Sequence, residues 1–245
     1  MRTVAAVLAA PPSGPPVPPG PDAAALLAPL AGRPVIEHSV AAFEAAPLID
    51  EILVVAPPAL GARAARLLAA AGYRKVSRVI DGGATRAESA WRAIRALGET
   101  DCNLLIHDAA RPLIGPRVIE DCAAALRDCR AVCAAVPAAD TMVKVEKDRI
   151  TERPPRDRLR RRQTPQGFRL DVIRRGHELA LADPGFEPAD DCAIVLRYLP
   201  EVAVRLVPGS EPDVTVTGPA GLAIAEALLA QRSRHSNVLP GRPPS

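Results

Sequence analysis

The sequence predicts an α/β fold in which a mostly parallel sheet is flanked by helices. Short apolar runs alternate several times with longer amphipathic stretches, a pattern that is typical of a doubly wound sheet. The apolar runs are continuous instead of alternating, as expected for strands that are covered on both faces. The length of 245 residues suits one domain of this kind, and we assign that domain to 1–232.

The elements follow from this pattern in chain order. The predicted strands are short runs rich in Val, Ile, Leu and Ala: Val4–Ala10, Glu51–Ala56, Val76–Ile80, Asn103–His107, Ala131–Val136 and Val202–Val207. The predicted helices are the longer amphipathic stretches that follow or separate these runs: Ile36–Ala46, Leu60–Ala71, Arg86–Leu97, Arg117–Asp128, Leu170–Leu181, Asp191–Tyr198 and Leu222–Gln231.

Three segments depart from the alternation of strands and helices. The segment Pro11–Pro21 is nearly all Pro, Gly and Ser, which excludes regular secondary structure there. Within 139–162, two short alternating segments flank a turn at Lys147–Asp148, and this predicts a protruding two-stranded β-arm. The residues 233–245 have no periodic pattern and are predicted to form a disordered tail.

Composition excludes several classes of function. The net charge is only +3 and aromatic residues make up 2% of the chain, so we expect no nucleic-acid partner. The apolar run Val4–Ala10 is far shorter than the roughly 20 residues of a membrane span. We therefore expect no membrane association and a cytoplasmic location. The five cysteines contain no C-x-x-C pair, which argues against a disulfide framework or a zinc site.

Two polar segments follow predicted strands, where ligands bind in open parallel sheets. In Asp81–Ser89, two glycines between a strand and a helix allow backbone amides to approach a ligand; the alternative is a tight turn. In His107–Pro112, Asp108 is placed to hold Mg²⁺ against a phosphate, and Arg111 can bind phosphate bidentately. The alternative for this second segment is a local ion pair between Asp108 and Arg111.

Four motifs in one order resemble those of a known enzyme family. D-G-G-x-x-R-x-x-S, H-D-A-A-R-P, D-T-M and T-P-Q-G-F are similar to the 2-C-methyl-D-erythritol 4-phosphate cytidylyltransferases and the related ribitol-phosphate cytidylyltransferases. The similarity runs from about Val4 to Leu229. It implies a Rossmann-like nucleotidyltransferase fold, a homodimer joined by exchanged β-arms, CTP as substrate and Mg²⁺ as cofactor. The implied reaction transfers CMP to a polyol phosphate and releases pyrophosphate, in isoprenoid precursor synthesis.

The resemblance also implies roles for individual residues. Ala9 and Ala10 match the start of the loop that cradles the triphosphate. Gly83 and Ser89 fall where the family reads cytosine and ribose, with Arg86 in the same motif.

The remaining implied roles concern the metal and the polyol phosphate. Asp108 matches the metal-holding aspartate, and Glu211 or Asp213 is the candidate for a second metal carboxylate. Arg111 matches a residue near the polyol phosphate or its neighbour subunit. Thr141 and Arg156 match arm residues that reach the substrate phosphate of the other subunit. Thr164–Gln166 match a substrate-side loop.

The chain departs from the family where the family carries cations. The family's loop A-A-G-x-G-x-R is replaced by the proline-rich segment, and no basic residue occurs between Arg2 and Arg33. Thr215 stands at a family lysine and Gly218 at a family arginine. The family's T-D-(D/E)-A reads A-D-D-C at Ala189–Cys192.

These departures leave two hypotheses of different classes. The first is a cytidylyltransferase that acts on a polyol phosphate, with altered or slow turnover. The second is a catalytically impaired homologue that is kept as a dimeric binding or regulatory protein. The basic run Arg158–Arg162 reaches phosphates from the arm under the first hypothesis, and otherwise it is a solvated or dimer-facing strip.

Overall fold

The computed structural model describes residues 1–10, 23–183, 185–186 and 188–236. The proline-rich segment 11–21 and the tail residues 237–245 lie outside these described residues. A seven-stranded sheet with helices on both faces forms the centre of the molecule. This confirms the predicted fold class.

The strands are β1 Arg2–Leu8, β2 Pro29–Leu30, β3 Arg33–Pro34, β4 Glu51–Ala56, β5 Val76–Asp81, β6 Cys102–Asp108, β7 Ala131–Pro137, β8 Lys144–Glu146, β9 Arg149–Glu152, β10 Arg160–Arg169 and β11 Val204–Pro208. The helices are α1 Ala23–Leu27, α2 Val35–Ala45, α3 Pro58–Ala70, α4 Arg86–Ala96, α5 Pro116–Ala125, α6 Leu170–Leu181, α7 Asp191–Tyr198 and α8 Pro219–Ser236. The central sheet has the order β11-β7-β10-β6-β1-β4-β5. β10 is antiparallel to both neighbours, and the other adjacent pairs are parallel.

β10 corrects the prediction for the T-P-Q motif. The predicted loop at Thr164–Gln166 is wrong, because these residues lie inside β10 between β6 and β7. The sequence pattern does not predict this strand, because its four arginines, two glutamines and one proline do not form an apolar run. Only its second half, from Gln163, enters the core. Pro165 falls where the register with β7 shifts, a position at which its missing N–H does not interrupt regular pairing.

The β-arm forms as an exposed hairpin of β8 and β9. Its turn residues Lys147 and Asp148 have φ angles of 46° and 63°, the left-handed backbone that a tight hairpin turn requires. Near the C-terminus, α8 continues to Ser236, five residues beyond the predicted end at Gln231, so the predicted disordered tail is wrong at 233–236, which are helical.

An aliphatic core covers each face of the central sheet. Alternate residues of β1 enter opposite layers, with Ala5 and Val7 on one side and Val4 and Ala6 on the other. Helices α2, α3, α5 and α8 cover the first face, and α4, α6 and α7 cover the second. Within the described ranges, no helix combines the length and apolar character needed to cross a bilayer.

We predict that two Gly→Ala substitutions change stability in opposite directions. At Gly167 in β10 an added Cβ would meet Val132 Cγ2 at 2.7 Å, so Gly167→Ala should lower the free energy of unfolding by about 1–3 kcal/mol. At Gly61, inside α3, the nearest atom is 3.8 Å away, so Gly61→Ala should raise it by about 0.5–1 kcal/mol. Urea unfolding measures both values, and equal effects of the two variants would contradict the packing described at β10.

Candidate active site

Asp108 is the last residue of β6, at the edge where the parallel strands end. The register of β1 and β6 places Leu8 beside Asp108, so Ala9 and Ala10 leave the sheet at the same edge. Ala9 is buried, and its N–H donates to the carbonyl of Val55 at 2.8 Å. The structure therefore brings the predicted start of the triphosphate loop next to the predicted metal-binding carboxylate.

Arg86 joins Asp108 to a second carboxylate. Arg86 is the first residue of α4, which Thr85 caps by accepting the N–H of Glu88 at 3.1 Å. The Arg86 Nε donates to Asp108 Oδ1 and its Nη1 donates to Asp191 Oδ2, both at 2.7 Å. The guanidinium is buried between two carboxylates, and it acts as a structural clamp in this chain.

The pKa values reflect this clamp. Burial alone would raise the pKa of Asp108, but Arg86 and Arg111 hold it below its usual value. Burial also opposes ionisation of Asp191, yet Arg86 and His177 lower its pKa to about 2. Conversely, the two carboxylates outweigh burial and raise the pKa of Arg86. Both aspartates are therefore ionised near neutral pH.

His177 binds the second carboxylate oxygen of Asp191, and Trp91 stacks on His177. His177 Nε2 donates to Asp191 Oδ1 at 3.1 Å. Trp91 stacks on the imidazole, with ring centroids 5.9 Å apart and an interplanar angle of 9°. Asp191 is 1% exposed, and each of its carboxylate oxygens accepts a hydrogen bond, one from Arg86 and one from His177. The sequence motifs assign no role to these three residues, and only the A-D-D-C segment at Ala189–Cys192 points to one of them, Asp191.

A hydrogen-bonded chain fixes the backbone at Asp108. Burial lowers the pKa of His107 to about 4, so its imidazole is neutral near pH 7. Its Nε2–H then donates to the carbonyl of Arg111 at 3.3 Å, and Nδ1 accepts from the Thr164 hydroxyl at 2.9 Å. The Thr164 hydroxyl in turn accepts the N–H of Asp108 at 3.2 Å. Thr164 therefore holds Asp108 from β10.

Arg111 forms the local ion pair that the sequence left open. Its Nε lies 3.8 Å from Asp108 Oδ2, and its Nη1 lies 3.6 Å from Asp213 Oδ2. Asp213 is 1% exposed, and burial raises its pKa to about 7 despite Arg111, an effect that Asp108 reinforces. The other predicted second metal ligand, Glu211, is exposed and pairs with Arg161 at 3.3 Å.

The D-G-G-A-T segment folds back on the first turn of α4. Gly83 N–H donates to Ser89 Oγ at 3.1 Å, and Ala84 N–H donates to Glu88 Oε2 at 2.7 Å. A Cβ at Gly83 would approach Glu88 Cβ, which explains the glycine. The tight-turn alternative describes this geometry, since Ser89 is 1% exposed and its hydroxyl serves the turn.

The two arm residues lie apart from Asp108 within this chain. Thr141 and Arg156 are exposed, and Arg156 donates to the carbonyl of Ala139 at 3.1 Å. Neither belongs to the cavity at Asp108, which has a volume of about 270 Å³. That cavity is lined by Arg86, Asp108, Arg111, Arg162, Gln163, Thr164, Gln166, Ala189 and Asp190.

The family model of 2-C-methyl-D-erythritol 4-phosphate cytidylyltransferase matches residues 4–231. The chain belongs to this family. A protein of that description from Thermobifida fusca is 51% identical over 207 residues, covering 82% of this chain and 83% of the relative. The bifunctional ribulose 5-phosphate reductase/CDP-ribitol pyrophosphorylase Bcs1 of Haemophilus influenzae is 38% identical over 84% of this chain and 44% of its own length.

Solved structures of this cytidylyltransferase family share the fold. The 4-diphosphocytidyl-2C-methyl-D-erythritol synthase of Anaerococcus prevotii is 26% identical, with a TM-score of 0.82, and the match covers 94% of this chain and 98% of the other. The 2-C-methyl-D-erythritol 4-phosphate cytidylyltransferase of Thermus thermophilus is 27% identical, with a TM-score of 0.70, and the match covers 92% and 98%. These matches confirm the Rossmann-like nucleotidyltransferase fold.

The carboxylates at the site suit one Mg²⁺ that takes its remaining ligands from substrate phosphates. Among the described residues, no three potential metal-binding side chains cluster together. Asp108 is ionised and partly exposed to the cavity, and Mg²⁺ commonly binds one or two carboxylates together with substrate phosphates. Asp213 is 1% exposed and Glu211 pairs with Arg161, and of these three predicted metal ligands Asp108 is the one that lines the cavity.

We predict that removing the buried cation costs far more stability than removing an exposed one on the same helix. Arg86→Met leaves Asp191 buried without its cation and should lower the free energy of unfolding by about 3–5 kcal/mol. The control Arg92→Met removes a more exposed arginine from α4 and should change it by less than about 0.5 kcal/mol. Unfolding in guanidinium chloride measures the free energy of unfolding of both variants. Similar losses in the two would show that Arg86 is not the clamp.

We also predict a pH dependence from Asp213. Its pKa is about 7 in the folded protein and near 3.8 in an unfolded chain, so the folded state binds its proton more tightly. The stability that this bound proton contributes is fully present below pH 4 and is lost as the pH rises to 7. In metal-free buffer, Asp213→Asn should therefore raise the free energy of unfolding above that of wild type by more at pH 8 than at pH 4. Parallel stability profiles of the two proteins between pH 4 and 8 would contradict this.

Proposed function

We propose that this protein transfers CMP from CTP to 2-C-methyl-D-erythritol 4-phosphate and releases pyrophosphate. The observation that carries the proposal is an ionised Asp108, clamped by Arg86 in a cavity at the carboxyl edge of the sheet. The 51% identity to the Thermobifida fusca cytidylyltransferase supports the choice of substrates.

The proposed reaction is an in-line attack of a polyol phosphate oxygen on the α-phosphorus of CTP. The bond to the β-phosphate breaks, and pyrophosphate leaves with the electron pair. Such chemistry depends on positioning and on charge held against the phosphates. Asp108 would hold Mg²⁺, which when bound neutralises phosphate charge. Arg111 adds a fixed positive charge beside Asp108, and Thr164 keeps the Asp108 backbone in place.

We extend the proposal to a homodimer joined through the β-arm. The arm exposes four large apolar side chains on this single chain: Met142, Val143, Val145 and Ile150. Exposed apolar clusters of this kind mark interaction surfaces. In such a dimer, Thr141 and Arg156 would reach the polyol phosphate bound to the other subunit.

A second candidate is a homologue that binds substrates without efficient turnover. It is favoured by the missing basic residues between Arg2 and Arg33, and by Thr215 and Gly218 at family cation positions. Loss of one charge-stabilising group typically lowers the rate about 10²–10³-fold. Even with strong non-additivity, these losses favour slow transfer over rapid transfer.

We predict that wild-type protein with CTP, Mg²⁺ and 2-C-methyl-D-erythritol 4-phosphate releases pyrophosphate in a coupled phosphate assay. Asp108→Asn removes the ionised carboxylate and should lower the rate about 10²–10³-fold. The matched control Asp171→Asn changes an exposed carboxylate on α6 and should retain the wild-type rate.

Two results decide between the candidates. Equal rates for wild type and Asp108→Asn would overturn the proposed transferase. If calorimetry then showed CTP and Mg²⁺ binding to the same wild-type protein, the second candidate would replace it.

A further inference from the structure

Three consecutive arginines enter β10, and they have different surroundings. Arg160 donates to the backbone carbonyls of Asp157 and Leu159 at 2.7 and 2.9 Å. Arg161 pairs with the exposed Glu211. Arg162 alone of the three lines the cavity that contains Asp108. The basic run is therefore not one uniform strip, because one member belongs to the site.

Arg162 is the cavity cation that solvent reaches most readily. The side chain of Arg86 is 4% exposed and that of Arg111 is 15% exposed, and carboxylates hold both. The Arg162 side chain is 42% exposed. An anion that enters this cavity can thus contact Arg162 without disrupting the buried clamp.

The partner of Arg162 can release it without being left unsatisfied. Arg162 pairs with Asp190, which caps α7. Asp190 Oδ1 also accepts the N–H of Ala193, and its Oδ2 accepts Nε2 of Gln166, both at 2.9 Å. The pair is only partly exposed, at 42% for the Arg162 side chain and 12% for that of Asp190, but Asp190 keeps both of these hydrogen bonds when a substrate anion replaces it on Arg162.

Phosphate is the anion that this guanidinium suits. Arginine binds phosphate oxygens through two parallel hydrogen bonds, which are among the strongest in proteins. A phosphate that enters the cavity meets the carboxylates of Asp108 and Asp190, so it needs a cation to offset them, and the segment between Arg2 and Arg33 supplies no basic residue. We infer that Arg162 leaves Asp190 to bind a phosphate group of a substrate beside Asp108.

This inference rests on the proposed function for the identity of the substrates. CTP and 2-C-methyl-D-erythritol 4-phosphate both carry phosphate, and titrating each one separately distinguishes them. The test compares wild type with Arg162→Ala, Arg162→Lys and Arg130→Ala by calorimetry and by steady-state kinetics. Arg130 is the matched control, because it is an exposed arginine paired with Asp171 at the opposite edge of the sheet.

Arg162→Ala should weaken binding of one of the two substrates at least tenfold and raise its KM, leaving the other substrate little affected. Arg162→Lys keeps the positive charge without the bidentate geometry, so its substrate affinity should lie between those of wild type and Arg162→Ala. Arg130→Ala should match wild type within twofold. Melting temperatures should be similar for all variants, since neither arginine is buried.

Two outcomes would overturn the inference. One is equal substrate binding by Arg162→Ala and Arg130→Ala, and the other is a wild-type protein that binds neither substrate. If wild type turns over and the two variants behave alike, only the inference fails. If binding depends on Arg162 but no pyrophosphate is released, the proposed function fails and the inference stands.

Discussion

One buried guanidinium organises the site of this protein. Arg86, at the start of α4, holds Asp108 from β6 and Asp191 from α7, so three distant parts of the chain meet at one point. A buried charge is tolerable only when it is paired and hydrogen-bonded, and here Nε and Nη1 of Arg86 each bind a carboxylate, whereas Nη2 is buried without a hydrogen-bond partner. The ionised state of Asp108, on which the proposed metal binding depends, follows from this clamp.

The sequence predicted the parts of the fold that depend on apolar pattern. β4, α6 and α7 have their predicted bounds, because each is a continuous apolar or amphipathic run. β10 was not predicted, since its burial comes from pairing with β6 and β7, not from its own apolar character. Pairing partners are set by the whole sheet, and a local pattern does not contain them.

The candidate site shows the same division between local and distant information. The position of Asp108 at a strand end followed from local pattern, and so did its ion pair with Arg111. The clamp by Arg86 and the support from His177 join residues up to 105 positions apart, so spacing could not indicate them. The resemblance supplied Arg86 as a nucleotide-site residue, and the structure shows that its guanidinium serves the two carboxylates. The proposed transfer would depend on this carboxylate scaffold with fewer cations than the family motifs carry, which is why we expect it to be slow.

A crystal structure with CTP and Mn²⁺ would show whether Asp108 binds the metal, because anomalous scattering locates the metal independently of the nucleotide. We expect a manganese peak at the Asp108 carboxylate, with phosphates beside it and Arg86 still bound to Asp191. A metal and nucleotide bound away from Asp108 would show that this carboxylate is not the metal ligand. An Arg86 side chain that has left both carboxylates to bind the triphosphate would contradict the clamp.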